Sequence, residues 1–428
     1  MRVEVQDLNE VEKILKVQIP VEKVNEVIEK VTKNLRKNAK IRGFRKGKVP
    51  PYLIKKLFKE EIQQRSIEEL IDQTLSEAVK EAKLEPLLRP KIENIGELKE
   101  GDQFSYSVLV EVRPEINLKR EDYIGIEVEK EKDEVSEEEV ENILQELRYT
   151  FSDLKKVDTN EGIQERYIAV IKFSAYDNDK LIPGHQADAL FVDVGTGEFN
   201  QEIEKALIGK KIGDKFTIEI EYPEDGLNPL LAGKKVRYEI EIKEVYKRDL
   251  KELTDEFVKN LNLGFESVEK LRERVKKRLL EEKKISNQSK MREKLLEKIL
   301  EKTDFKVPTR YVDLKLMQLL DRVKESLEKD GLSFEKLNLS MDKLMERLKP
   351  VAEKQAKEEL LLEKIAELEN IEIPSEEIEK EIKVISKNLK VSEDKAKAIV
   401  YFNILPKKLA AKVLKFLEEN AKIIEKEN

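Results

Sequence analysis

The chain has 428 residues, with 83 Lys and Arg against 90 Asp and Glu, a formal net charge of −7, one histidine, no cysteine and no tryptophan. That composition excludes a disulfide framework, a thiolate metal site and a histidine-rich metal cage. Charged residues make up 40% and apolar residues 39%, enough for packed cores in roughly two to four domains and too apolar for disorder throughout. The abundance of Glu, Lys and Ile fits a heat-tolerant protein. Met1–Lys13 lacks the apolar core of a signal peptide, and no run nears the ~18–20 apolar residues of a membrane span. A soluble, cytoplasmic protein with no membrane partner is expected.

Leu15, Val17 and Ile19 alternate like a strand. Pro20 then opens a helix in which Val21, Val24, Val27, Ile28, Val31 and Leu35 share one face. A basic stretch follows. Ile62, Leu70, Ile71, Leu75, Val79 and Ala82 mark a longer helix that stops before Pro86. Phe104, Tyr106, Val108, Val110 and Val112 alternate as a strand. Residues 1–112 are thus expected to form a small α+β domain with the basic stretch at one end.

Residues 113–152 read as a connector. It holds a short strand, IGIEVEKEK, and a helix to about Thr150 that starts from a capping box at Ser136–Glu139. Residues 153–245 hold eight of the fifteen glycines. Tyr167/Ala169/Ile171/Phe173, Phe216/Ile218/Ile220/Tyr222 and Val236/Tyr238/Ile240/Ile242 each alternate with period two. An antiparallel sheet domain with a helix near Gln201–Ile208 is expected. From 246 to 428 only Gly264 and Gly331 remain, and the pattern is helical. Pro308, Pro350, Pro374 and Pro406 are expected to punctuate the segments. Ile378, Ile382, Ile385 and Leu389 form a stripe after a Ser375 N-cap. Several helices packed as arms are expected rather than one coiled coil.

The basic stretch is the sharpest local signal. Val31–Lys59 carries eleven Lys or Arg and no acid over twenty-nine residues, in a chain where acids are about a fifth. Gly43 and Gly47 permit positive φ and close backbone approach. Phe44 lies between Arg42 and Arg45, where an aromatic is wasted unless it stacks or inserts. A polyanion satisfies all three features. The acidic total argues that only this tip docks.

GFRKGKVP at 43–50 resembles the signature loop of the trigger factor family, bacterial ribosome-associated chaperones. Gly43, Phe44, Arg45, Gly47, Lys48 and Pro50 all match its Gly-Phe-Arg-x-Gly-Lys-x-Pro pattern, and the order of the three parts agrees over the whole chain. The resemblance implies a multidomain α+β protein with an N-terminal ribosome-docking domain, an FKBP-like antiparallel β domain with a helix, and an all-α C-terminal chaperone domain with helical arms. It further implies that the tip (Gly43, Phe44, Arg45, Lys46, Gly47, Lys48 and Pro50) contacts ribosomal RNA and a ribosomal protein at the nascent-chain exit.

The middle domain resembles an FKBP-type peptidyl-prolyl isomerase. Such a pocket needs no nucleophile. Its apolar, aromatic walls desolvate the X-Pro amide and so favour the twisted bond. By resemblance, Phe173 and Tyr238 fall on aromatic positions. Ile203, Gly226 and Leu181 stand where rings are usual, and Asn200, Gln201 and Glu202 replace the family's apolar segment. With Tyr222, and with Phe191 and Phe199 partly refilling the cavity, a formed but weakly active isomerase site is expected. His185 is expected at the surface.

Met291, Met317, Met341 and Met345 lie in the helical region, and Leu314, Leu316, Met317, Leu319 and Leu320 crowd more of one helix than a single buried stripe requires. An adaptable apolar surface for unfolded clients, centred on Leu316, Met317, Leu320, Met341 and Met345, is expected. The sequence contains no P-loop, dinucleotide fingerprint or metal-ligand cluster, so neither cofactor nor nucleotide is expected. Together these readings give an ATP-independent chaperone of nascent and unfolded polypeptides. Two alternatives stand beside it: proline isomerisation as the main activity, and an RNA-binding or ribosome assembly factor.

Overall fold

The computed structural model describes residues 1–41, 44, 45, 48–158, 160–226, 228, 230–329, 331–335 and 339–426. Its first part is a four-stranded antiparallel sheet ordered β1-β2-β4-β3, built from β1 (Arg2–Asp7), β2 (Glu12–Ile19), β3 (Lys91–Ile95) and β4 (Phe104–Glu111). The core forms because the two central strands alternate in phase: Leu15 faces Val108, Val17 faces Tyr106 and Ile19 faces Phe104, and all six are buried. Helix α1 (Val21–Asn38) buries Val24, Val27, Ile28, Val31 and Leu35, the spacing of a single helical face. Two further helices, α2 (Pro51–Leu57) and α3 (Lys59–Glu81), are separated only by Phe58. Buried Ile54, Ile62, Leu70, Ile71 and Ala78 join them to the same core.

A short helix α4 (Arg120–Tyr123) leads to β5 (Glu127–Glu131) and α5 (Glu137–Thr150). Ser136 caps α5 with a full capping box: its Oγ accepts the Glu139 amide at 3.2 Å, and the Glu139 carboxylate accepts the Ser136 amide at 2.9 Å. The sheet domain follows, with β6 (Asp153–Lys156), β7 (Ile168–Asp177), β8 (Lys180–Asp193), α6 (Gln201–Leu207), β9 (Lys215–Glu221) and β10 (Lys235–Asp249). All its strand pairs are antiparallel, and β10 pairs with β6, β7 and β9. Ile203 and Leu207, a turn apart on α6, are fully buried in its core.

The helical part comprises α7 (Asp255–Asn260), α8 (Val268–Leu300), α9 (Thr309–Lys329), α10 (Met341–Leu368), α11 (Ser375–Leu389), α12 (Glu393–Ile399) and α13 (Leu405–Glu419), closed by β11 (Lys422–Lys426). β11 pairs in parallel with β5, setting Lys422 opposite Glu127 and Lys426 opposite Glu131. Pro308 and Pro374 precede helices, as expected. Pro350 and Pro406 do not separate segments but lie within helices. Pro350 sits inside α10, at an exposed position where solvent can satisfy the carbonyl left without a donor. Pro406 lies in the first turn of α13, directly after a π-turn at Val400–Ile404. Proline has no N–H to offer Phe402, and the Leu405 amide instead reaches the Val400 carbonyl, widening the turn to admit the ring.

The described chain divides into two compact units. One comprises Met1–Ile124, Lys298–Leu319 and Lys349–Glu419, and the other comprises Gly125–Glu297, Leu320–Leu348 and the chain from Asn420 onward. In the first, Glu111 is fully buried and its Oε1 accepts the Arg310 amide of α9 at 2.9 Å. In the second, α5, α7 and α8 share a cluster of Val140, Leu144, Phe257, Val258, Leu271 and Val275. No helix among the described residues is long and apolar enough to cross a membrane.

Candidate functional site

The residues singled out by the sequence fall into three groups. The first is the tip between α1 and α2. Val49 is fully buried at its base, and Pro50 and Pro51 start α2 with φ already fixed for the helix. Beyond this anchor Phe44 is 42% exposed, and Arg45 and Lys48 are exposed beside it. The Phe44 amide donates to the Ile41 carbonyl at 3.1 Å and the Lys48 amide to the Arg45 carbonyl at 2.9 Å. Gly43, Lys46 and Gly47 lie outside the described residues. Tyr52 and Leu57 on α2 add exposed apolar groups that the sequence reading missed. Lys55 is partly neutralised by Glu100 at 2.5 Å.

The second surface is an aromatic cluster in the sheet domain. Phe173 packs edge-on against Phe199 with ring centroids 5.5 Å apart, and lies 6.3 Å from the Tyr238 ring. The Tyr222 and Tyr238 hydroxyls are 2.7 Å apart. Burial, and then the Tyr222 hydroxyl, push the Tyr238 hydroxyl well above the ordinary tyrosine range, so it stays protonated and can donate. Ile203 is fully buried in the same domain core as Phe173 and Tyr238. Two expected members do not join. Phe191 is 66% exposed, because Val192 beside it takes the core-facing position on β8. Leu181, at the start of β8, is also exposed. The refilling of the cavity expected of Phe191 and Phe199 therefore falls to Phe199 alone.

Asn200 turns its side chain away from any ligand role. Its Oδ1 caps α6 by accepting the Glu202 and Ile203 amides at 3.0 and 3.1 Å. Sequence reasoning also missed Glu204. This carboxylate is 2% exposed and accepts the amides of Gly195 at 3.0 Å, Gly197 at 2.7 Å and Phe199 at 3.0 Å. It thereby fixes the loop that carries Phe199 into the cluster. One acid inside a short amphipathic helix gives no warning of this in sequence. His185 is half-exposed, with Nδ1 3.2 Å from the Pro183 carbonyl.

The remaining candidates are apolar, lie on helices and divide between the two units, with Leu314, Leu316 and Met317 in the first and Leu320, Met341 and Met345 in the second. Met317 is 54% exposed, and Met341 and Leu314 are exposed as well, with Met345 half-buried. Leu316 and Leu320 are buried and so are core residues rather than part of an open client surface. They fall one turn apart on the inward face of α9, and Met317 on another. Further exposed apolar residues, Val384, Leu389, Tyr401 and Phe402, lie on α11 and the π-turn, with Phe402 at 81%.

An exposed basic tip on an α+β base, an isomerase-like sheet domain and helices with exposed Met and aromatic side chains define a multidomain chaperone. Comparison with known proteins agrees. Residues 1–147 match the family model of the bacterial trigger factor protein, and residues 267–419 match that of its C-terminus. The trigger factor of Geobacter sulfurreducens is 31% identical over 378 residues, covering 88% of this chain and 87% of that one. That of Geobacillus sp. strain WCH70 is 32% identical, covering 96% and 97%. A solved structure of the trigger factor chaperone, from work on promiscuous substrate recognition in folding and assembly, is 27% identical and covers 98% of this chain and 99% of that one, at a TM-score of 0.46. The chain belongs to the trigger factor family.

Proposed function

We propose that this chaperone docks by its tip at the ribosomal nascent-chain exit, on ribosomal RNA and an adjoining ribosomal protein, and shields emerging polypeptides without nucleotide. The observation that carries this reading is the pairing of a fully buried Val49 with an exposed Phe44 flanked by Arg45 and Lys48. The base is fixed, so the ring and cations are presented outward at little further entropic cost. Cations neutralise phosphates, and an aromatic ring stacks on an unpaired base. Tethering raises the local client concentration, so weak contacts at Met317 and Met341 suffice. We further infer that it works in the cytoplasm and that its domains run over 1–112, 113–152, 153–245 and 246–428. Ribosome binding measured across a salt series tests the docking mode: a steep fall in affinity is expected, and salt-independent binding would exclude an RNA contact.

A secondary isomerase activity is supported by the Phe173–Phe199–Tyr238 cluster. We assign it a low rate, because Leu181 and Phe191 leave the wall open and Ile203 and Gly226 supply no ring.

A further inference from the structure

Two cations on the first turns of α10 hold the loop that follows β9. Lys343 Nζ donates to the Glu224 carbonyl at 2.7 Å and reaches the Gly226 carbonyl at 3.4 Å. One turn on, Arg347 Nη2 donates to the Asp225 carbonyl at 2.6 Å and to its carboxylate at 2.8 Å. Residues i and i+4 share a helix face, so the two side chains grip three consecutive residues together. The gripped loop leaves directly from Tyr222, whose hydroxyl meets Tyr238 in the aromatic cluster. Its base is tied to the sheet domain, since the Tyr222 amide donates to Lys234 at 2.9 Å and the Gly226 and Gly233 amides both donate to Pro223 at 3.1 Å. What α10 holds is therefore the rim of that cluster.

The chemistry is that of a reversible lock. Only Asp225 offers an opposite charge, and the other acceptors are main-chain carbonyls. The Arg347 and Asp225 side chains are 46% and 76% exposed, and such a pair is weak and screened by salt. Met341 and Met345 lie two residues before the cations, about 200° around the helix. While Lys343 and Arg347 hold the loop, the methionines point to another side of α10.

We propose that Lys343 and Arg347 form a salt-sensitive latch that fixes the start of α10 to the rim of the aromatic cluster. Closed, the latch makes the rim loop and the methionine-bearing turns one rigid surface; open, it frees both. This inference does not depend on ribosome docking.

The absence of native cysteine makes the test direct. Spin labels are placed at Lys215→Cys on β9 and Glu346→Cys on α10 of the full chain, and their separation is measured by pulsed dipolar spectroscopy. A single narrow distance peak is expected at low salt. It should be lost when Lys343→Ala and Arg347→Ala are combined, and also, in the otherwise unaltered chain, at roughly 1 M salt, where the Debye length falls to about 3 Å. The salt arm needs no variant and so is independent of any folding defect. A narrow peak that survives both treatments, or a broad distribution in the parent at low salt, overturns the latch.

Discussion

Glu204 holds Gly197 by a 2.7 Å hydrogen bond from the glycine amide to the buried carboxylate. The same side chain takes the Gly195 and Phe199 amides, so one acceptor-only group satisfies a turn that the sheet cannot reach. Gly197 has φ of +76°, a conformation costly for side chains with a Cβ.

Glu204→Gln tests this arrangement. The amide has a donor where the carboxylate had an acceptor, so at least one main-chain N–H faces an N–H instead of an oxygen. A loss of roughly 1–3 kcal/mol of local stability is expected. It should appear as faster hydrogen exchange at Gly195, Gly197 and Phe199 by NMR. Unchanged protection at all three would show that the loop holds itself.

Glu111 gives a pH prediction. Burial, opposed by the Arg310 amide and guanidinium, raises its carboxyl above the ordinary range, and its buried Oε2 has no hydrogen-bond partner. A carboxyl with a raised folded-state pKa binds its proton more tightly folded than unfolded. Its contribution is therefore most favourable below about pH 4, and is lost as pH rises through the folded value. Gln carries no such titration and keeps a carbonyl for the Arg310 amide. The stability of Glu111→Gln relative to the parent should rise between about pH 4 and pH 7, measured by thermal unfolding. A flat or falling difference contradicts the assignment.

Exposure separates two neighbours on α9. Met317→Asp should weaken suppression of client aggregation and leave the melting temperature nearly unchanged, because an exposed site contributes little to the core. Leu316→Ala should cost about 2–5 kcal/mol by opening a cavity. Light scattering with an unfolded client, beside a melting curve for each variant, distinguishes them. If Met317→Asp holds clients like the parent, the open surface lies elsewhere.

In a proline-limited refolding assay, the full chain should accelerate the slow phase far less than an FKBP-type domain at equal concentration. The uncatalysed barrier is set by the amide itself, and here few rings replace its hydration. Comparable rates would show that Phe173, Phe199 and Tyr238 suffice.

Much of this fold is legible in sequence where local and tertiary demands coincide. The stripe of α1, the Ser136 capping box and the alternation of β2, β4, β7 and β10 each satisfy a period and a burial pattern at once. What escaped lacks one or both. β3 and β11 are exposed at every residue, so no alternation marks them, and β11 is a strand only because β5 lies beside it. Pro350 and Pro406 were misread as breaks because their tolerance depends on solvent exposure and a widened turn. At the candidate site, the tip motif announces itself through charge and glycine. Glu204 works through main-chain donors in the loop before its helix, and Lys343 and Arg347 through acceptors far away in the chain, so no local pattern marks them.

The most direct test of docking is co-sedimentation with ribosomes, comparing the parent with the triple variant Phe44→Ala, Arg45→Ala, Lys46→Ala. Phe44 and Arg45 are exposed, so the melting curve should be unchanged. The parent is predicted to pellet with ribosomes at low salt, and the variant to remain in the supernatant. A variant that pellets as fully as the parent would contradict docking through the tip.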